Sequence, residues 1–140
     1  MDNTANLAGS QSVLVVDDDE FSVENFCLKL RRLGLTRITV ARNGVEAVQA
    51  LKQAQAAPDF LICDIFMPDM DGIEFVSVLA ERKYKGGLLL VSGGARALLE
   101  AAQAIAVGME LNVLGAYAKP LPLPVLAHAL GLAVTGDRSP

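Results

Sequence analysis

The sequence predicts an α/β fold in which a doubly wound, parallel sheet has five strands in the order 2-1-3-4-5. Short apolar runs alternate five times with segments of helical periodicity, which indicates five strand-helix units. The apolar runs are hydrophobic at successive positions, as strands covered on both faces are. Right-handed crossover connections leave few arrangements for such a chain, and this order suits five strands.

Turn and capping signals place the first two units. The first strand is SVLVV, and the helix after it spans about 20–33, before Gly34. Its apolar positions recur at helical spacing: Val23, Phe26, Cys27, Leu30 and Leu33. The second strand is RITVA, and Asn43 is placed to cap a helix. We predict that this second helix turns Val45, Val48 and Leu51 inward.

The remaining units follow the same alternation. The strands are FLIC, GLLLVS and VLGAYA, and the helices span about 72–82, 95–108 and 122–134. The third helix is predicted to turn Ile73, Val76 and Leu79 inward. The fifth has proline in its first turn, where a missing amide hydrogen costs little.

Composition limits the classes of protein. The chain has 140 residues, 52% of them hydrophobic, and a net charge of -4, which favours one globular domain and argues against direct nucleic-acid binding. We predict a domain over 11–135, a flexible leader over 1–10 and a tail or linker over 136–140. No signal peptide or membrane span is predicted, and Cys27 and Cys63 lie in apolar segments, so we expect reduced thiols and a cytoplasmic location.

Chemically active side chains follow the strands. Asp17 and Asp18 come after the first strand, Asp64 ends the third, Ser92 ends the fourth and Lys119 follows the fifth. In doubly wound sheets ligands bind beyond the carboxyl ends of the strands, where the strand order reverses. Carboxylates brought together there repel one another unless a cation joins them. Oxygen ligands suit Mg²⁺, and a metal, an amine and a hydroxyl together can clamp a phosphoryl group.

Asp64 is the best candidate nucleophile, because its strand lies between the acidic side and the Ser92/Lys119 side of the predicted edge. At this point the sequence resembles the receiver domains of two-component response regulators, particularly chemotaxis regulators. Four motifs carry the resemblance, in order along the chain: VLVVDDDE, DIFMPDMDG, LLLVSGG and YAKPL. It covers about residues 12–134 and implies a flavodoxin-like fold.

The resemblance implies a role for each matching residue. Asp64 would accept a phosphoryl group, and Mg²⁺ would be held by Asp17, Asp18, Asp64 and the backbone carbonyl of Phe66. Ser92 and Lys119 would bind the phosphoryl group. Three residues would shape the site: Pro68, Gly72 and Pro120, the last after a cis peptide bond. The chain would then be a phosphoacceptor that assists its own phosphorylation and dephosphorylation, and not an enzyme.

The resemblance also implies partners. The donor would be a histidine kinase or a histidine phosphotransfer protein. The face made by helix four, strand five and helix five would form a homodimer or meet an output domain, and predicted helix five has no charged residue. The segment LNVLGAYAKPL is similar to receivers joined to cyclic-di-GMP phosphodiesterases. Ala116 replaces the aromatic residue that usually couples to the hydroxyl, and adjacent Tyr117 is expected on the opposite face.

Two other functions fit parts of the sequence. A receiver-like interaction module would never accept phosphate, which the full set of acidic, hydroxyl and amine residues argues against. An aspartyl-phosphate phosphatase of the haloacid dehalogenase type also has a nucleophilic aspartate after strand one. That class requires Asp-x-Asp-x-Thr, and here Phe21 stands where the threonine would be.

Overall fold

The computed structural model describes residues 10–67, 70, 72–94 and 96–132. In this part of the chain five parallel strands form a sheet in the order β2-β1-β3-β4-β5, which confirms the predicted fold. The strands are β1 (Ser12–Val16), β2 (Arg37–Ala41), β3 (Phe60–Asp64), β4 (Gly87–Ser92) and β5 (Asn112–Ala118). The helices are α1 (Glu20–Arg32), α2 (Gly44–Gln53), α3 (Gly72–Glu81), α4 (Arg96–Gly108) and α5 (Leu123–Ala129).

The three central strands, β1, β3 and β4, are buried on both faces, which explains why they are apolar at successive positions, whereas the edge strands β2 and β5 are more exposed. Leu14 and Val16 belong to the apolar layer under α2, α3 and α4, whereas Val13 and Val15 belong to the layer under α1 and α5. Every residue of β4 is buried. Removing this apolar surface from water is the main stabilising contribution to the fold.

Strand register brings the strand ends to one edge. Val16, the last residue of β1, lies beside Cys63, which precedes Asp64. Ser92, the last residue of β4, lies beside Ala118. The polar residues that end or follow β1, β3, β4 and β5 therefore meet at the carboxyl edge of the sheet, as predicted.

Helix α2 begins as predicted, and of its three predicted inward residues Leu51 is buried, Val48 is partly buried against the core and Val45 is exposed. The Glu46 amide donates to Asn43 Oδ1 at 2.8 Å, which confirms Asn43 as the cap. The buried positions are Gly44, Ala47 and Leu51, whereas Val45 is 47% exposed, so its predicted inward orientation is wrong. Gly44 packs closely against Met70, since a Cβ there would lie 2.6 Å from the Met70 Cβ, and hydrophobicity alone favoured the bulkier valine.

The other inward-facing positions follow the prediction more closely. In and just after α1, Phe26, Cys27, Leu30 and Leu33 are buried, and Gly34 ends the helix with φ of 91°. In α3 the buried set includes Phe75, Val76 and Leu79, and Ile73 is only partly buried. Both cysteines, Cys27 and Cys63, are buried and unpaired with each other.

Helix α5 is shorter than its apolar pattern predicts. It ends at Ala129, because Gly131 adopts φ of 73° and the Leu132 amide donates back to Ala127 O at 2.8 Å. This is a glycine-terminated helix end. His128 is exposed, and none of the exposed large hydrophobic side chains in the described residues lies on α5. No helix among those residues is long and apolar enough to cross a membrane.

Candidate functional site

Two carboxylates from neighbouring strands lie buried at the carboxyl edge of the sheet. Asp17 follows β1 and is 1% exposed, and Asp64 ends β3 and is 4% exposed. The Asp17 amide donates to Ala41 O at 3.0 Å, which holds the chain in register for one residue beyond β1. Burying two acidic groups together is costly unless each has a partner.

Lys119 supplies that partner for both carboxylates. Its Nζ donates to Asp17 Oδ2 at 3.0 Å and to Asp64 Oδ2 at 3.1 Å. The Lys119 side chain is largely buried, at 13% exposure. Its backbone is held by a hydrogen bond from its amide to Ser92 O at 2.8 Å. The ammonium of Lys119, which follows β5, therefore joins the ends of β1 and β3.

The charges in this cluster shift the acidity of its members. The pKa of Asp64 is raised to about 6, because burial and the charge of Asp17, which raise it, outweigh the Phe66 amide and Lys119, which lower it. For Lys119, burial by itself lowers the pKa, but hydrogen bonds and charge from Asp17 and Asp64 outweigh burial and raise the pKa. A lysine so placed stays protonated, and Asp64 is mostly ionised at neutral pH.

Asp18 adds a third carboxylate to the cluster. One oxygen from each of Asp17, Asp18 and Asp64 lies within 4.8 Å of the others, and Asp18 itself is exposed. Three hard oxygen donors with one open to solvent fit Mg²⁺, which keeps several water ligands. The predicted acidic set is therefore brought together.

Phe66 and Ser92 complete the edge in ways the sequence did not specify. The Phe66 amide, and not its carbonyl, has a described contact with the site: it donates to Asp64 Oδ1 at 2.9 Å. The predicted metal contact of its carbonyl stays a prediction. Ser92 is buried, and its Oγ accepts a hydrogen bond from the Gly94 amide at 3.0 Å.

The three residues expected to shape the site have different outcomes. The Lys119-Pro120 bond is cis, as the resemblance implies. Gly72 begins α3, and a Cβ there would lie 2.5 Å from the Cα of Ile65, so close packing requires glycine at this position. Pro68 lies outside the described residues, as do Asp69 and Asp71.

Sequence reasoning missed one contact in the site. Lys119 Nζ also donates to Ser22 Oγ at 3.1 Å, and Ser22 Oγ donates to Asp19 Oδ2 at 3.2 Å. Asp19 is the cap of α1, and Ser22 lies three residues along, one turn into the helix. That spacing was the signal available, because residues three apart share a helix face.

Ala116 and Tyr117 lie on opposite faces of β5, as predicted. Ala116 packs against the layer that contains α4, and Tyr117 packs against the layer that contains α5. Gly115 has φ of 157° at a bulge where the pairing of β4 with β5 shifts by one residue. A Cβ at Gly115 would lie 2.6 Å from the Tyr117 ring. Tyr117 therefore does not replace the aromatic residue missing at position 116.

Known proteins are similar to this chain in sequence and in fold. A family model described as the response regulator receiver domain matches residues 13–130. The positive alginate biosynthesis regulatory protein of Pseudomonas aeruginosa is 30% identical over 129 residues, which are 91% of this chain and 48% of that protein. The probable C4-dicarboxylate response regulator DctR of Priestia megaterium is 34% identical over 82 residues, 58% of this chain and 35% of that protein. The chain thus spans about half or less of these relatives' lengths.

Solved structures of response regulators have a similar fold. A response regulator from Colwellia psychrerythraea is 30% identical with a TM-score of 0.71, and the match covers 86% of this chain and 94% of that one. The CheX-CheY-BeF3-Mg+2 complex from Borrelia burgdorferi matches with a TM-score of 0.72 and 26% identity over 86% of both chains. With the family model matching most of its length, the chain belongs to the response regulator receiver domain family.

Proposed function

We propose that this chain is a phosphorylation switch in which Asp64 accepts a phosphoryl group from a phosphohistidine. The observation that supports this most is the convergence of two buried carboxylates on one ammonium at the carboxyl edge of the sheet. A purely structural role gives no reason to bury this cluster, because a well-packed apolar group of similar volume is often as stable or more so.

The transfer needs an ionised, accessible oxygen and a compensating positive charge. An oxygen of Asp64 attacks phosphorus, an O–P bond forms, and the N–P bond of the donor breaks with its electron pair going to the imidazole, which takes up a proton. Because the pKa of Asp64 is about 6, the nucleophile is mostly ionised at pH 7. The Lys119 ammonium already donates to Asp64 and would pair with an oxygen of the incoming group.

A magnesium ion fits the acidic cluster. Asp17, Asp18 and Asp64 would hold it, with the Phe66 carbonyl as the further ligand that the resemblance implies. Bound there, Mg²⁺ would supply positive charge to the phosphoryl oxygens. Asp17 would have to share its oxygens, since Oδ2 accepts from Lys119 and Oδ1 accepts from the Asp19 amide at 3.0 Å.

The signal would leave through the segment after β4. Ser92 Oγ accepts from the Gly94 amide and keeps its own hydrogen to donate, so a phosphoryl oxygen on Asp64 would accept from it and draw the hydroxyl towards the site. Redirecting the hydroxyl would loosen the turn that leads to α4. Ala116 has no ring to change rotamer, so we assign the output to this turn and to α4 rather than to an aromatic switch on β5.

Partners follow from the family. Receiver domains act with histidine kinases or phosphotransfer proteins, and one relative of this chain is the sensor histidine kinase CheAY of Helicobacter pylori. The relatives differ in output, from transcriptional regulators to a protein-glutamate methylesterase. Three features therefore stay predictions: the cyclic-di-GMP phosphodiesterase output, the homodimer through α4, β5 and α5, and the cytoplasmic location.

Intact mass spectrometry after incubation with Mg²⁺ and acetyl phosphate tests the proposal. We expect one added phosphoryl group in the wild type and none in Asp64→Ala. Asp59→Ala is the matched control: Asp59 lies at the amino edge of the sheet, and this variant should gain the same mass.

The outcomes separate the three functions. If the wild type gains no phosphoryl group and also fails to bind beryllofluoride, the chain is better explained as an interaction module that never accepts phosphate. An adduct retained in Asp64→Ala but lost in Asp17→Ala would favour the phosphatase reading. Loss of the adduct in Asp64→Ala, with the adduct kept in Asp59→Ala, supports the switch.

A further inference from the structure

The Lys119 ammonium has three hydrogen-bond acceptors, and one of them is not a carboxylate. The acceptors are Asp17 Oδ2 at 3.0 Å, Asp64 Oδ2 at 3.1 Å and Ser22 Oγ at 3.1 Å. A lysine ammonium carries three hydrogens and accepts none, so these contacts use its full capacity. The amine is therefore fixed from three directions, by β1, β3 and α1.

The direction of each hydrogen bond around Ser22 follows from this. Since the ammonium can only donate, Ser22 Oγ accepts from Lys119 and its own hydrogen points to Asp19 Oδ2, 3.2 Å away. Asp19 Oδ1 accepts from the Phe21 amide at 3.2 Å, which caps α1. The Asp19 carboxylate thus orients the Ser22 hydroxyl while it caps the helix.

The contacts close into a ring of four residues. The Asp19 amide donates to Asp17 Oδ1 at 3.0 Å, and Lys119 links Asp17 Oδ2 to Ser22. Moving the ammonium therefore disturbs the first turn of α1 as well as the carboxylates. A ring of this kind holds an otherwise flexible lysine side chain in one conformation.

Ser22 differs from the other two acceptors in what the proposed function requires of it. That function, on which this inference rests, directs Asp17 towards a cation and Asp64 towards a phosphoryl group. Both carboxylates then share their oxygens with new partners. The neutral Ser22 hydroxyl attracts neither partner strongly and can keep its hydrogen bond to the ammonium throughout.

We propose that Ser22 is a positioning residue that holds the Lys119 ammonium beside Asp64 during phosphoryl transfer. It touches no reacting atom and acts through Lys119. A charged group that is displaced by about 1 Å from its best position stabilises a transition state less well.

Solvent limits the size of the effect. A cavity of about 440 Å³ borders Ser22 and Lys119 and is lined also by Phe21, Asn25 and Pro120. Water from this cavity can hydrate the ammonium when the hydroxyl is removed. We therefore expect a rate loss of about tenfold, at the low end for a lost hydrogen bond to a charged group.

The test compares the initial rate of phosphoryl uptake from acetyl phosphate in Ser22→Ala, Ser22→Thr and Ser77→Ala. Ser77 is the matched control, because it is also a half-buried helical serine whose Oγ makes a hydrogen bond, to Ile73 O at 3.2 Å in α3. We expect Ser22→Ala to lose about tenfold, Ser22→Thr to recover most of the rate, and Ser77→Ala to match the wild type.

Two further measurements exclude a merely structural or metal-binding role. The deficit of Ser22→Ala should persist at saturating Mg²⁺, since a deficit that disappears there would mean that Ser22 acts on metal affinity. NMR of the lysine ammonium signals, with Lys119→Met for assignment, should show faster exchange of the Lys119 hydrogens with water in Ser22→Ala but not in Ser22→Thr.

The results distinguish failure of this inference from failure of the proposed function. A wild type that neither takes up a phosphoryl group nor binds beryllofluoride overturns both. A phosphorylated wild type with an equally fast Ser22→Ala, or with unchanged ammonium exchange in Ser22→Ala, overturns the role of Ser22 alone. Thermal unfolding of each variant identifies any that is not folded at the assay temperature, in which case Ser22→Cys replaces Ser22→Ala as the variant without an oxygen acceptor.

Discussion

The two ends of the sheet handle polar groups in opposite ways. At the amino end, the Ser12 amide donates to Asp59 Oδ2 at 2.8 Å and the Tyr84 hydroxyl donates to Pro58 O at 2.8 Å. Asp59 is exposed there, so its charge stays in water. At the carboxyl end, Asp17 and Asp64 are buried beside each other and depend on Lys119.

The difference separates an end whose polar groups are neutral or hydrated from an end whose charged groups are buried. Hydrogen bonds at the amino end join neutral or hydrated groups and stabilise the connection of β3 to its neighbours. At the carboxyl end, like charges lie buried together and one ammonium, that of Lys119, bridges both carboxylates. Such a cluster costs stability, which agrees with the role proposed for Asp64.

The largest effect should come from removing the ammonium. Lys119→Met leaves two buried carboxylates without their cation, and we expect the free energy of unfolding at pH 7 without Mg²⁺ to fall by about 3 kcal/mol. Urea denaturation measures it. The double variant Asp64→Asn/Lys119→Met should recover much of the loss, because one of the two stranded charges is gone. Equal destabilisation in the single and double variants would contradict this account.

A smaller effect should appear in the pH dependence of stability. The pKa of Asp64 is raised to about 6 in the folded protein, so the folded state binds a proton more readily than the unfolded chain. The resulting stabilisation is complete below the unfolded pKa and is lost as the pH rises through about 6. Wild type should therefore gain about 1 kcal/mol of stability from pH 7 to pH 5 in Mg²⁺-free buffer.

Asp64→Asn isolates that contribution. Its side chain does not titrate, so the gain between pH 7 and pH 5 should be absent in the variant while other groups contribute equally to both proteins. Parallel slopes for the two proteins would show that Asp64 does not titrate in this range.

An effect no larger than this is expected at the amino end. Tyr84→Phe removes the hydrogen bond to Pro58 O from a buried ring and should cost about 1 kcal/mol in thermal or urea unfolding. It should leave phosphoryl uptake from acetyl phosphate at the wild-type rate, since the two ends share no polar contact in the described residues. A slowed uptake would mean that the ends are coupled, and the contrast between them would fail.

Several features were predictable from local patterns. Strand boundaries such as those of β1 and β4 follow from apolar runs bounded by polar residues or glycine, and the cap at Asn43 follows from its side-chain chemistry. The strand order then places Asp17 and Asp64 on neighbouring strands. Periodicity and connection rules act within one or two elements, so they can be read from residues near in sequence.

Other features depended on contacts between distant elements. Val45 is exposed because Gly44 and Ala47 are the residues of α2 that pack inward, Gly44 against Met70, and Gly72 is needed because α3 begins against Ile65. Hydrophobicity scales rank single residues and do not measure how closely two backbones approach. Helix α5 ends at Ala129 because of the backbone conformation at Gly131, whereas the prediction followed the apolar pattern beyond that glycine.

By itself the sequence determined the fold class, the family and the set of reactive side chains, because these follow from residue types and their spacing along the chain. Tertiary structure decided which of them touch. Lys119 meets Asp17 and Ser22 across 102 and 97 residues of sequence, and those contacts depend on strand register and on where α1 begins. Geometry of that kind is a property of packed elements, and no local pattern encodes it.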